Sequence, residues 1–184
     1  MKRPLLVLAA FFFSFGLFAQ QEETIFGNGG LKLTGAWGSF HPGFTSFDGE
    51  DVTMGGGYVA LEFNKALLLG LGGSHSTERF SNGLRYDLSG AYLGYVMNGY
   101  RAIHPKFSLM IGGGEVKPRN GEEDKVFTVM PGAGVEVNLF RWFKLGLHGS
   151  YRFVSNVSYP GLDENDLSGF LFDLQFRFGW SWGD

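Results

Sequence analysis

His148 and Ser150, two residues apart, are residue types that could carry a reaction. A serine nucleophile needs a histidine within hydrogen-bond reach and a carboxylate to orient that histidine. Residues i and i+2 share one face of a strand, so the pair can act together. Glu164, in the segment that follows, is the candidate acid. A His-x-Ser pair also arises easily by chance, and the plainer reading makes His148 one member of a polar network. Ser74-His75-Ser76-Thr77-Glu78 gathers nucleophile, base and acid types side by side. Adjacent strand residues point to opposite faces, which favours a solvated rim over a triad there. Asp163-Glu164-Asn165-Asp166 offers the oxygen ligands that Ca²⁺ prefers, without the spacing or the Gly of an EF-hand. Gly55-Gly56-Gly57 and Gly112-Gly113-Gly114 have the composition of a phosphate loop, but no Lys-Ser/Thr and no helix follows them. No catalytic set is therefore assigned, and no cofactor or metal is expected.

These residues sit in a chain of 184 residues with 30 Gly, 20 Phe, no Cys and a net charge of −3. Without Cys, thiolate zinc sites, thiol catalysis and disulfides are excluded. The aromatic content argues against disorder, because that surface is too apolar to leave in water. A pI near 5.8 and the lack of a basic run argue against nucleic acid as a partner. The first segment reads as an address. Lys2 and Arg3 precede an apolar run from Leu5 to Phe18, and Ala19 supplies a small residue before Gln20. This is the pattern of a secretory signal peptide over residues 1–19, too short to span a bilayer as a helix. Residues 20–184 then form one domain that works outside the cytoplasm.

That domain repeats with a period of two, the period of a strand. Eight such segments follow one another, centred on Leu33–Trp37, Thr53–Phe63, Leu67–Leu71, Tyr86–Gly94, Phe107–Ile111, Phe127–Val137, Phe143–Phe153 and Phe170–Phe178. Each runs to roughly ten residues, as a tilted transmembrane strand requires. The connections predicted after the odd strands are long and polar, near 42–51, 76–85, 117–125 and 155–167. Those near 64–65 and 138–142 are short, and 97–105 is intermediate. Short turns at one end and long loops at the other are the pattern of an outer-membrane barrel. The fold class predicted is all-β: an eight-stranded antiparallel up-and-down transmembrane barrel.

The faces follow from cost. One set of alternating positions is rich in Leu, Phe, Val and Tyr. The other carries Lys32, Glu62, Asp87, Glu136, Lys144, His148, Arg152, Asp173 and Arg177. A Lys or Arg facing lipid at the midplane costs about 2–4 kcal/mol. Turning this set inward removes that cost and makes a polar network that fills an eight-stranded lumen. Trp37, Tyr95, Tyr100, Trp142, Trp180 and Trp182 lie near strand ends, where aromatic girdles form. A soluble lipocalin-like barrel would turn the Phe-rich set inward, which overfills a small interior.

The C-terminal half carries a resemblance. Pro131-Gly132-Ala133-Gly134-Val135-Glu136-Val137-Asn138, Arg141-Trp142-Phe143-Lys144-Leu145, Gly149-Ser150-Tyr151-Arg152 and Asp166-Leu167-Ser168-Gly169 together resemble the small outer-membrane β-barrel proteins of Bacteroidetes-type Gram-negative bacteria. The architecture is similar to OmpA/OmpX-like barrels. Phe176-Arg177-Phe178-Gly179-Trp180 resembles the aromatic closing strand recognised by the barrel-assembly machinery, although four residues trail it. The resemblance implies the cell outer membrane, with lipid and lipopolysaccharide as surroundings, and no established reaction. Lipid A deacylases are eight-stranded barrels with a similar His-x-Ser pair, but their site faces lipid, whereas parity sends His148 and Ser150 inward. The expected role is a scaffold presenting four surface loops over a plugged polar lumen. A narrow porin-like channel, a deacylase-like enzyme and a soluble lipocalin-like binder are the alternatives.

Overall fold

The computed structural model describes residues 30–47, 49–80, 83–118 and 123–182. The segment read as a signal peptide lies outside the described residues. Eight strands follow in order: β1 (Leu33–Phe47), β2 (Glu50–Phe63), β3 (Leu67–Ser76), β4 (Arg85–Val96), β5 (Ile103–Lys117), β6 (Asp124–Phe140), β7 (Phe143–Ser155) and β8 (Gly169–Ser181). A single helical turn, α1 (Glu164–Leu167), precedes β8. Each strand pairs antiparallel with the next, and β1 pairs with β8 from Gly35–Ser181 to Thr45–Leu171. The sheet is thus a closed all-antiparallel barrel, which leaves no edge strand.

The strands run from 10 residues in β3 to 17 in β6, longer than the alternation alone suggested. Consequently the first long loop, predicted near 42–51, does not exist. Phe47 pairs with Glu50, so only residues 48 and 49 connect β1 to β2, with Gly49 at φ 74°. Pro42, read as a loop residue, lies inside β1. The β1–β8 ladder has no assigned partners between Phe40 and Gly43, so the missing proline N–H forfeits little there. Pro131 sits in a similar interval of the β6–β7 ladder, between Val129 and Gly132. The remaining wide connections are 77–84, 118–123 and 156–168, all at the same end of the barrel as 48–49.

The opposite end has the short connections 64–66 and 141–142 and the six-residue 97–102, which ends earlier than the 97–105 predicted because β5 begins at Ile103. Asn64 and Lys65 take φ of 52° and 55°, and Ala66 N donates to Phe63 O at 3.1 Å. Two successive left-handed residues make the type I′ turn that matches strand twist.

The Leu/Phe/Val set faces outward, with Leu71 67% and Leu147 70% exposed. A lipocalin-like barrel would show the reverse. Two strands depart from the predicted faces. In β4 the inward residues are Tyr86, Leu88 and Tyr92, while Asp87, Ala91 and Leu93 point outward. In β1 a register shift between Leu33 and Gly35 changes the parity, so Trp37 is buried in the interior rather than placed in a girdle. Tyr95, Tyr100, Trp142, Trp180 and Trp182 are exposed near the short-turn end.

The interior has two zones. Toward the wide connections it is apolar: Phe47, Met54, Tyr86, Val116, Val126 and Leu171 pack with Phe80, Leu162 and Leu167 from the loops. Phe80 stacks on Phe47 with ring centroids 4.3 Å apart. Toward the short turns the interior is ionic and aromatic. A lumen of uniformly polar character, as the alternation suggested, is therefore corrected to one polar half and one apolar half.

Candidate functional site: the ionic half of the lumen

Glu136 stands at the centre of this zone. Its carboxylate accepts from Lys106 Nζ at 3.3 Å, from Arg177 Nη2 at 2.6 Å, and meets His104 Nε2 at 3.3 Å. β5, β6 and β8 supply these groups because each places its charged residue on the inward parity. All four are nearly inaccessible to solvent. Lys106 also donates to Tyr58 OH at 2.8 Å and Gln175 Oε1 at 2.7 Å. The ammonium lies 4.8 Å from the Tyr58 ring centroid, and Tyr58 stacks on Tyr92 at 3.9 Å. A buried charge of this kind persists only when paired and hydrogen-bonded; each member has a partner here, with Arg177 bonded through Nη2 while its Nε and Nη1 are buried without one among the described residues.

Glu62 forms a second centre nearer the short turns. It accepts from Trp37 Nε1 at 2.9 Å, Ser181 Oγ at 2.6 Å and Thr34 Oγ1 at 3.3 Å. These contacts tie β1, β2 and the end of β8 together, where the barrel closes. The Trp37 ring also carries Arg177 at 4.5 Å on its face and Lys144 at 4.9 Å. The inward Trp37 is thus the aromatic floor on which two cations rest.

A third group lies farther up the lumen. His148 Nε2 is 3.0 Å from Ser108 Oγ, and His148 Nδ1 is 3.4 Å from Asp173 Oδ2. Gly132 makes room for the imidazole: a Cβ there would lie 2.3 Å from His148 Cε1. The order serine, histidine, aspartate is that of a nucleophilic relay. His148 and Asp173 are buried and Ser108 is half-buried beside them. Farther up, Arg152 lies between the rings of Phe47 at 4.0 Å and Tyr86 at 5.2 Å. It donates through Nε to Leu167 O at 2.6 Å and forms no ion pair among the described residues.

Of the charged set read from the sequence, Glu62, Glu136, Lys144, His148, Arg152, Asp173 and Arg177 are buried in the interior. Lys32 is not: it precedes β1 and is exposed. Asp87 is not either. It points outward near the wide-loop end, where its carboxylate meets Lys117 Nζ at 2.9 Å. That rim position reaches polar surroundings, so an outward charge there carries little penalty. His104, Lys106, Tyr58 and Gln175 were not in the predicted set. The signal for His104 and Lys106 was the parity of Ser108 and Met110, which continues through Lys106 to His104, the latter inside the 97–105 segment read as a connection.

The weak catalytic set is not brought together. Both His148 nitrogens face Ser108 and Asp173, and Ser150 Oγ is buried with no partner among the described residues. Glu164 lies in the last loop and accepts from Asn156 N at 2.9 Å. The run Ser74–Glu78 alternates as expected, with Ser74 and Ser76 buried and His75 exposed. Asp163 and Asp166 form a capping box on α1. The glycine triplets lie within β2 and β5.

No protein-family model matches the chain, and no curated protein matches it in sequence. Solved structures do match in fold. The N-terminal β-barrel domain of Pseudomonas aeruginosa OprF aligns with TM-score 0.60 at 10% identity, over 80% of this chain and 98% of that one. The Neisserial surface protein A, NspA, aligns with TM-score 0.58 at 10% identity, over 81% and 98%. At such identities the likeness is one of architecture. The closed ring of eight antiparallel strands is the fold shared with these small outer-membrane barrels.

Proposed function

We propose that this chain spans the outer membrane as a closed scaffold barrel, and that its wide-loop end faces outward to meet surface partners. The carrying observation is the inversion of an ordinary soluble fold: Phe40, Phe44, Val59, Leu71, Leu147 and Phe170 point outward while Glu136, Arg177 and Lys106 are buried. An exposed apolar surface this continuous marks a membrane contact. The resemblance of Pro131–Asn138 and Arg141–Leu145 to Bacteroidetes-type barrels, and the fold shared with OprF and NspA, support the same reading.

The interior favours a plug over a channel. The Glu136 centre crosses the lumen from β5 to β8, and the apolar cluster under the loops fills the other half. The test is to refold residues 20–184 into detergent and into planar bilayers. The reading expects a mobility shift between unboiled and boiled samples and no steady single-channel current. A soluble chain without a shift contradicts the membrane reading, and a steady current contradicts the plug.

A further inference from the structure

Ser108, His148 and Asp173 come from three strands and from no sequence motif. Ser108 lies opposite Gly132 across β5–β6, His148 opposite Gly134 across β6–β7, and Asp173 opposite His148 across β7–β8. The imidazole therefore crosses β6 to reach Ser108. It can pass because the inward residues of β6 at that level are both glycine. A Cβ on Gly132 would strike the ring, and one on Gly134 would lie 2.8 Å from His148 Cα. Gly43 clears the other side: it pairs with Asp173, and a Cβ there would lie 2.8 Å from Asp173 Cβ.

The hydrogen bonds have the polarity that a nucleophile needs. A carboxylate only accepts, so His148 Nδ1 donates to Asp173 Oδ2 at 3.4 Å. Nε2 is then the acceptor for the Ser108 hydroxyl at 3.0 Å. Ser108 points inward yet is only half-buried, so the lumen beside its hydroxyl is not filled. Two polar atoms beside the relay, Ser150 Oγ and Asp173 Oδ1, are buried with no hydrogen-bond partner among the described residues. Toward the loops, the next inward residues after Gly56, Ser108 and Gly132 are Met54, Met110 and Met130, all buried. Methionine is unbranched and adaptable, so this boundary yields to a short apolar chain. Toward the turns, the next inward residue after Ser108 is Lys106, fixed by Tyr58, Glu136 and Gln175.

We infer that Ser108 is a nucleophile toward short-chain carboxylic esters, with His148 as its general base and Asp173 positioning His148. A bond forms between Ser108 Oγ and the ester carbonyl carbon as the serine proton passes to His148 Nε2. The ester C–O bond then breaks, and the departing alcohol takes that proton. Water repeats the two steps on the acyl-serine, which releases the carboxylic acid and restores Ser108. Nothing is oxidised or reduced. The acyl chain is short because the ionic centre closes one side of the space and only the methionines can move on the other. This activity goes beyond the scaffold role and does not depend on which surface meets lipid.

The test treats the detergent-refolded chain with a small alkyl fluorophosphonate, which phosphonylates activated serines, and locates the adduct by peptide mass spectrometry. Heat-unfolded chain is the control, and the mobility shift between unboiled and boiled samples checks the fold of each variant. The expected result is an adduct on Ser108 in the folded chain only, formed about tenfold or more slowly in His148→Gln. Asp173→Asn is expected to lose the adduct in the same way, and Asp173→Glu to recover part of it. Hydrolysis of p-nitrophenyl acetate is expected to exceed that of p-nitrophenyl palmitate. Since the chain has no Cys, Ser108→Cys keeps the test readable if a His148 variant folds poorly. Its thiol is expected to react with iodoacetamide faster in the folded chain than in the unfolded one. No adduct on Ser108, an equal adduct in unfolded chain, or a rate unchanged in His148→Gln overturns the inference, as does a Ser108→Cys thiol that folding protects. A preference for the palmitate ester overturns the short-chain assignment. A folded, heat-shifting barrel without the adduct sinks this site and leaves the scaffold reading standing.

Discussion

Glu136 holds two cations and an imidazole at once, and none of the four groups has water to fall back on. Removing one partner from a buried ionic group typically destabilises by about 3–5 kcal/mol. Glu136→Leu is therefore expected to lose about that much, measured as a lower urea midpoint for unfolding in detergent. Arg152 behaves differently. Its guanidinium rests on two aromatic faces and donates to Leu167 O, with no carboxylate to strand. Arg152→Met is expected to cost under about 2 kcal/mol, because a buried charge replaced by an apolar side chain of similar length is often near neutral. Equal losses in the two variants would contradict this division. Much of the ionic interior was legible residue by residue, since Glu136, Lys144 and Arg177 fall on the polar parity of long strands. Lys106 was hidden by Pro105 beside it, which looked like the end of a connection. Trp37 was hidden by a one-residue register shift that no periodicity reveals.

At the scale of elements, backbone approach explains the glycines better than phosphate chemistry does. Gly90 and Gly112 are partners across β4–β5, and a Cβ on Gly112 would lie 2.0 Å from Ser89 O. Gly112→Ala is expected to cost about 3 kcal/mol or more, the upper range of overpacking. Gly113→Ala, one residue on and open to the outer face, is expected to stay within about 0.5 kcal/mol. Thermal scans in detergent of both variants check the contrast. In the β2–β3 turn, Lys65 holds a left-handed φ of 55° that costs an L-residue about 1–2 kcal/mol. Lys65→Gly is expected to raise the unfolding midpoint, by about 1 kcal/mol of stability. The eight strands and the tight turn at Asn64–Lys65 were legible because period two and turn residues are local signals. The first connection was not. Pro42 and Gly43 resemble a loop in sequence, and only the gap in the β1–β8 ladder lets them sit in a strand. The faces of β4 were also misread, because Tyr86 and Tyr92 are large enough to pass for membrane-facing residues yet pack inside.

At the scale of the molecule, the barrel divides along its axis. The end with tight turns encloses ion pairs, and the end with wide connections encloses Phe47, Phe80, Leu162 and Leu167. Among the described residues, Phe80 of the 77–84 connection and Leu162 and Leu167 of the 156–168 connection are part of that second core. Asp124 at the start of β6 accepts from Ser158 N at 2.7 Å and Tyr159 N at 3.0 Å, which ties two connections together. Length and alternation could suggest a filled lumen, but not its division, because loop residues such as Phe80 and Leu162 join the core only through tertiary contact.

The central claim is that the apolar face meets lipid while the charged face stays inside. The chain has no Cys, so single cysteines report position without a background. The most direct measurement places one cysteine at Leu71, one at Leu147 and one at Asn165, and follows their reaction with a membrane-impermeant maleimide after refolding into vesicles. The expected result is rapid labelling at position 165 in the exposed loop and protection at 71 and 147 until the bilayer is dissolved and the chain unfolded. Labelling at 71 and 147 as fast as at 165 in intact vesicles would contradict the account.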